Sequence, residues 1–89
     1  MQIDGAIVRE QGIVFGIIIV KKSAMSTDHA AAETRTAFQA QIRDFAGIPL
    51  VLASQDSSGM FEYHGRRDIV DFLASIEATR IPWKRCTVS

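Results

Sequence analysis

The chain has little of what most protein chemistry draws on. Its single cysteine, Cys86, cannot close an intramolecular disulfide, and no CxxC or Cys/His spacing accompanies it. Neither a disulfide scaffold nor a structural zinc site is expected, and a reducing, cytoplasmic location is the natural reading. An excess of charge of one sign is also missing. Ten basic residues balance ten acidic ones, which removes the long-range field that nucleic-acid binding or attachment to an anionic membrane would use. Long apolar runs are absent too. The longest, Ile13 to Val20, spans eight residues, far short of the roughly 20 that cross a bilayer. Asp4, Arg9 and Glu10 precede it without a basic leader, so it reads as a buried strand and not as a membrane or secretory segment.

What is present is apolar and patterned. Of 89 residues, 47% are hydrophobic and 22% charged, a composition that forms a core and lies far from that of disordered chains. One domain over 1–89 is expected. So short a chain buries only about 60 to 65% of its unfolded surface, and it is marginal unless something covers its apolar faces.

The residues from Ile3 to Lys21 are rich in Ile and Val and break at Glu10-Gln11-Gly12, where glycine can take the positive φ of a tight hairpin. The first strand mixes Asp4, Arg9 and Glu10 with Ile3, Ile7 and Val8 and reads as peripheral. The second is apolar on both faces and reads as central. Ser26, Thr27 and Asp28 are candidate caps for a helix carrying Ala31, Thr34, Phe38, Ile42 and Phe45 at helical spacing, with Gly47 and Pro49 as its stop. Pro49 to Ser54 is a third strand, Asp56-Ser57-Ser58-Gly59 a turn, and Met60 to His64 a fourth strand. Gly65 leads into a helix from Arg66 to Glu77 with Ile69, Phe72, Leu73 and Ile76 as its apolar stripe. Residues 80–89 form an extended tail behind Pro82 and carry the lone tryptophan, Trp83.

The expected class is therefore α+β, in the order ββαββα. A right-handed crossover through the first helix sets strand two beside strand three in parallel, giving a four-stranded mixed sheet of order 1-2-3-4. Both helices are expected mainly on one face. That leaves the apolar second face of strands two and three to be covered by a homodimer, unless the second helix crosses over or the tail with Ile81, Trp83 and Val88 folds across it.

The stretch Ile48-Pro49-Leu50-Val51-Leu52, the Asp56 to Gly59 turn, Phe61-Glu62-Tyr63, Gly65 and the helix that follows resembles the proline, hairpin and helix half of thioredoxin-like folds. The cysteine pair that carries thioredoxin chemistry is absent, so redox activity is not implied. A proline strand parallel to strand two also departs from that family's connectivity, and no family is assigned.

Among candidate sites, His29 and Glu33 stand four apart on a helix but are too few to hold a metal, so no metal and no cofactor is expected. Ser54, Asp56, Ser57, Ser58 and His64 supply the residue types of a hydrolase without any motif that exposes a nucleophile, and turn chemistry explains them better. Cys86 beside Lys84 and Arg85 reads as an inert thiol. The best local candidate is His64-Gly65-Arg66-Arg67, where backbone N–H groups and two guanidinium groups at a strand-to-helix junction suit a phosphate or carboxylate. Trp83, with Ile81, is the candidate contact residue for a subunit or protein partner. The leading expectation is a non-enzymatic interaction module acting as a homodimer. The alternatives are a binding module for a small anionic ligand and an enzyme whose site is assembled across subunits.

Overall fold

A computed structural model describes residues 2–10 and 12–88; Met1, Gln11 and Ser89 lie outside the described residues, so the Gln11 position of the expected hairpin turn does too. The elements in chain order are β1 (Gln2–Glu10), β2 (Ile13–Ile19), α1 (Asp28–Gln41), β3 (Leu50–Gln55), β4 (Phe61–His64), α2 (Arg67–Ala74) and β5 (Lys84–Thr87). Short 3-10 turns cover Lys22–Met25, Arg43–Phe45 and Ala78–Arg80.

The sheet is mixed and has five strands in the order β4-β3-β2-β1-β5. β1 and β2 are antiparallel, with Glu10 opposite Ile13 and Gly12 at φ 75° closing the hairpin. β2 and β3 are parallel, Ile17 lying beside Val51 and Ile18 beside Leu52, and β3 and β4 are antiparallel. The expectation of four strands in the order 1-2-3-4 is corrected at one edge. The tail contributes β5, whose Cys86 pairs with Ile3 and Thr87 with Gln2. β1 is nine residues long, so part of its outer edge would stand unpaired without β5, and the chain uses its own tail to cover it.

α1 starts where Thr27 accepts a hydrogen bond from the Ala30 amide at 3.0 Å, the usual way an N-cap satisfies one orphan donor. It stops at Gln41, earlier than the apolar spacing predicts, because Ile42 is extended. Phe45 then reaches the core from a 3-10 turn, and Gly47, at φ 77°, reverses the chain after that turn and not at the end of α1.

The second correction concerns the faces. Ile18, Leu50 and Leu52 pack with Ala31, Ile42 and Phe45 on the α1 side, whereas Phe15, Ile17, Val51 and Ala53 pack with Ile69 and Leu73 of α2 on the other. The two helices therefore cover opposite faces of the sheet. The handedness rule governs crossovers between parallel strands, and α2 connects β4 to β5, which run in opposite directions through the chain of pairings. Nothing in that rule holds α2 to the side of α1, while the two-sided apolar β2 and β3 favour a cover on each face. After α2 the chain crosses the same face through buried Ile81 and half-buried Trp83 before β5 begins. The open apolar face from which self-association is expected is consequently occupied. Among the described residues the only large hydrophobic side chain that stands exposed is Met60.

Candidate functional site

The expected anion site forms the junction of β4 and α2. Gly65 does not have a positive φ. Its requirement is close approach: a Cβ there would lie 3.0 Å from Val51 Cγ2 and 3.2 Å from Val51 Cα. Arg66 donates from Nε and Nη2 to the two carboxylate oxygens of Asp68 at 2.8 and 2.9 Å. Hydrogen bonding to Arg66 holds the Asp68 carboxyl below its ordinary range, and the same bonds raise the guanidinium. An incoming anion at this turn competes with Asp68 for Arg66, while Arg67 stands exposed beside it.

His64 points away from that junction, toward α1. Its Nε2 lies 3.0 Å from Asp28 Oδ1 and its Nδ1 lies 2.9 Å from Arg35 Nη1. A guanidinium can only donate, so Nδ1 is the acceptor and the ring proton of this arrangement sits on Nε2, facing Asp28. The imidazole ties the start and second turn of α1 to the edge strand. It is not placed beside a serine, and the serine-rich turn is occupied otherwise. Asp56 Oδ1 accepts from the Ser58 hydroxyl at 2.6 Å, the Ser58 amide at 2.9 Å and the Met60 amide at 3.0 Å. Those bonds, the Ser58 hydroxyl first, hold its carboxyl below the ordinary value. The hydrolase residue types are thus dispersed into a turn cap and a helix tether.

His29 and Glu33 pair at 2.6 Å on the exposed side of α1. Among the described residues no group of three or more His, Cys, Asp or Glu side chains is close enough to hold a metal ion. Cys86 is buried under the α1 side of the sheet. Ile81 is buried, and Trp83 stacks on Phe61 at a centroid distance of 5.8 Å while its indole N–H donates to the Ala78 carbonyl at 3.0 Å. Phe61 stacks in turn on Tyr63 at 6.1 Å, and burial raises the Tyr63 phenol. The tryptophan thereby helps to close the α2 side of the domain.

A different place brings apolar and polar residues together in an open hollow. At the carboxyl ends of β2 and β3 a cleft of about 760 Å³ opens on the α1 side, lined by apolar Ile3, Val20, Ala24 and Phe38 and by Lys21, Lys22, Ser23 and Gln55. Ser54 lines it from the next-to-last position of β3. It is the one buried polar residue among those described, at 5% exposure. Among the described residues no buried side-chain polar atom lacks a partner, so the Ser54 hydroxyl, which none of the side-chain hydrogen bonds reaches, stays in contact with solvent. Lys22 lies 3.8 Å from Glu62 in an exposed pair, worth little in water, and among the described residues Lys21 makes no ion pair.

The local reason for this opening is topological. The chain leaves β2 through Lys21 and the Lys22–Met25 turn to climb onto α1, and it leaves β3 for the hairpin to β4. The two exits diverge and leave a gap above the strand ends, the place where open sheets with parallel strands commonly bind ligands. The sequence carried a signal for it that pattern reading passed over. A serine closes the otherwise apolar Leu50 to Ala53 run, and two lysines end the apolar β2 run at the same level of the sheet.

No protein-family model matches the chain, and comparisons with curated proteins and with solved structures return no match. Among the described residues no helix is long and apolar enough to cross a membrane.

Proposed function

We propose that this protein is a non-enzymatic binding module that takes a small anionic ligand in the cleft at the carboxyl ends of β2 and β3. The observation that carries the reading is the cleft at these strand ends, which Lys21, Lys22 and Ser54 line together with apolar residues. A hydroxyl open to the cleft can donate to an anion there, and a nearby ammonium group adds charge attraction. The cleft is favoured over the Gly65 to Arg67 turn because Asp68 holds Arg66 through two hydrogen bonds there, whereas Lys21 at the cleft makes no ion pair among the described residues. The balanced net charge argues against nucleic acid or an anionic membrane as the partner, and the lone buried Cys86 suits a reducing cytoplasm.

The test is an amide-shift titration of the full chain with millimolar acetate and inorganic phosphate at constant ionic strength. Saturable shifts at Val20, Lys21, Lys22, Ser54 and Gln55 are expected, and they weaken in Lys21→Ala/Lys22→Ala. Shifts confined to residues 65–68 would move the site to the strand-to-helix turn, and no saturable shift with either anion would end the anion-binding reading.

Self-association is a second reading, and a different observation favours it. The outer edges of β4 and β5 are open, and the charges that would guard β5 are engaged within the chain, Arg85 with Asp4 at 3.0 Å and Lys84 with Asp44 at 3.8 Å. A second copy pairing edge to edge would use those backbone groups. Sedimentation equilibrium at micromolar concentration tests it, and a monomer mass across the range rejects it.

A further inference from the structure

We infer that a second copy of this chain pairs with it along the outer edge of β4, antiparallel and about a twofold axis at Tyr63, so that two five-stranded sheets become one. The inference rests on the self-association reading above, adds the edge, the register and the side chains that meet, and is independent of the cleft.

The edge offers both backbone and apolar surface. β3 pairs with β4 on one side only, from Leu52 opposite His64 to Gln55 opposite Phe61. Among the described residues no backbone hydrogen bond outside that ladder reaches Phe61 to His64, so the outward N–H and C=O groups of β4 form a template for another strand. On the α2 side Phe61 and Tyr63 are half-buried and stack at 6.1 Å, and Trp83 stacks on Phe61 at 5.8 Å. A hollow of about 600 Å³ beside them is lined also by Ile76, Ala78 and Met60. Met60, 68% exposed, is the large hydrophobic residue that the chain itself leaves uncovered. Rings already held by stacking have little freedom left to lose when a partner covers them. β5 also ends the sheet, but Lys84, Arg85 and Thr87 are exposed and polar and Cys86 is buried in the α1-side core. That edge gives a partner backbone groups and no apolar surface.

Charge selects the register and the partner. Residues directly opposite in an antiparallel pair point to the same face, so a twofold axis normal to the sheet sets one residue of β4 opposite its own copy. A centre at Phe61 or at His64 pairs only that residue within the strand, whereas a centre at Glu62 pairs Phe61 to Tyr63 and a centre at Tyr63 pairs Glu62 to His64. The centre at Glu62 places two carboxylates face to face, which is destabilising. The centre at Tyr63 places Glu62 opposite His64 of the second copy, and does so twice. His64 meets Arg35 at 2.9 Å on the α1 side, and among the described residues Arg35 makes no ion pair. The carboxylate of one copy thus faces a basic pair on the other, while its own Lys22 contact, at 3.8 Å, is exposed and worth little. Phe61 then stands opposite Gly65 of the second copy, which has no side chain to obstruct it. The edge is complementary to itself, and a second copy is the occupant that supplies every one of these contacts.

Sedimentation equilibrium of the full chain from micromolar to millimolar concentration, with tyrosine photo-oxidation of the same samples by a ruthenium complex and persulfate, tests the inference. Tyr63 is the only tyrosine in the sequence, so a dityrosine product must join Tyr63 of two copies. A dimer is expected, with dityrosine fluorescence rising in step with the dimer fraction. His64→Glu sets like charges opposite each other and should weaken association about tenfold, as two repulsive pairs in place of two complementary ones require. Glu62→Lys/His64→Glu, which restores opposite charges, should recover most of that loss. Both variants lack the His64 tether, so the difference between them reads the pairing and not the fold. A dimer that yields no dityrosine, or one that the two variants affect equally, overturns the inference and leaves self-association through another edge. A monomer mass across the whole range rejects the inference together with the self-association reading.

Discussion

The ring of Phe45 lies in the space that a side chain at Gly16 would fill: a Cβ on Gly16 would stand 2.6 Å from Phe45 Cδ1 and 2.9 Å from Cε1. Gly5, on the neighbouring strand, gives the same ring room at Cζ, 3.3 Å from where its Cβ would be. Two glycines on β1 and β2 thus make a seat for a phenylalanine that is 1% exposed. Gly16→Ala forces an aromatic ring within a packed core to shift and should lower stability by about 1 to 3 kcal/mol, the range for overpacking. Phe45→Ala should lower it by about 3 to 5 kcal/mol. Combining Gly16→Ala with Phe45→Leu should be less damaging than the sum of the two single changes, because the second relieves the clash of the first. Urea unfolding of the wild type, Gly16→Ala, Phe45→Leu and the double variant reads this directly, and strict additivity would mean that the ring and the glycine do not share the space.

Gly47 and Gly65 are needed for different reasons, and substitution separates them. Gly47 has φ 77° with open space around a Cβ, so its requirement is conformational. Gly47→Ala should lower stability by about 1 to 2 kcal/mol and Gly47→Asn by less, since Asn tolerates that region. At Gly65 the obstacle is Val51, so Gly65→Ala and Gly65→Asn should both be damaging, and the larger side chain more so. Thermal melts of the four variants check the inversion in rank.

Acid should loosen the β3–β4 hairpin and the start of α2. Asp56 and Asp68 both have carboxyls depressed below the ordinary aspartate value of 3.8, by the Ser58 hydroxyl and by Arg66 respectively. A group with a depressed folded value adds stability above its unfolded pKa and loses it as pH falls through the folded value. Wild-type stability should therefore fall from just above the ordinary aspartate value downward, and Asp56→Asn/Asp68→Asn should show a shallower slope in that window. Melting temperature measured across it would show no difference in slope if the two carboxylates were merely solvated.

The His64 tether should be unequal on its two sides. Arg35 meets Nδ1 in a partly buried contact, whereas the Asp28 side chain is fully exposed. A double-mutant cycle between His64→Ala and Arg35→Ala is expected to give a coupling of about 0.5 to 1.5 kcal/mol. The cycle with Asp28→Ala should give a few tenths at most, as exposed pairs do. Equal couplings would contradict the burial difference.

Much of the sheet was legible from periodicity alone. Ile13, Phe15, Ile17 and Ile19 on one side of β2 and Ile18 and Val20 on the other follow from a period of two, and the structure assigns them to the two separate cores in that way. Gly12 as the hairpin turn and Thr27 as the helix cap are equally local, since each depends on one residue's φ or one side-chain bond. The candidate site was legible only in fragments. Ser54 was read as turn chemistry because its burial is a property of α1 and of the Lys22–Met25 turn lying over the strand end, not of the residues beside it.

Amphipathic spacing states that a helix has a buried face, and it carries no information on which side of a sheet the chain will bring that face to. For α1 the crossover between parallel strands supplied that choice; for α2 no handedness constraint applied, and the uncovered Phe15, Ile17, Val51 and Ala53 surface received it. The tail's last segment likewise became a strand because β1 had an unpaired edge within its reach. Local pattern determined the elements and their apolar faces. The tertiary structure decided which surfaces met, because burial and edge pairing are satisfied across the whole sheet at once, and the cleft above β2 and β3 is the place that packing left open.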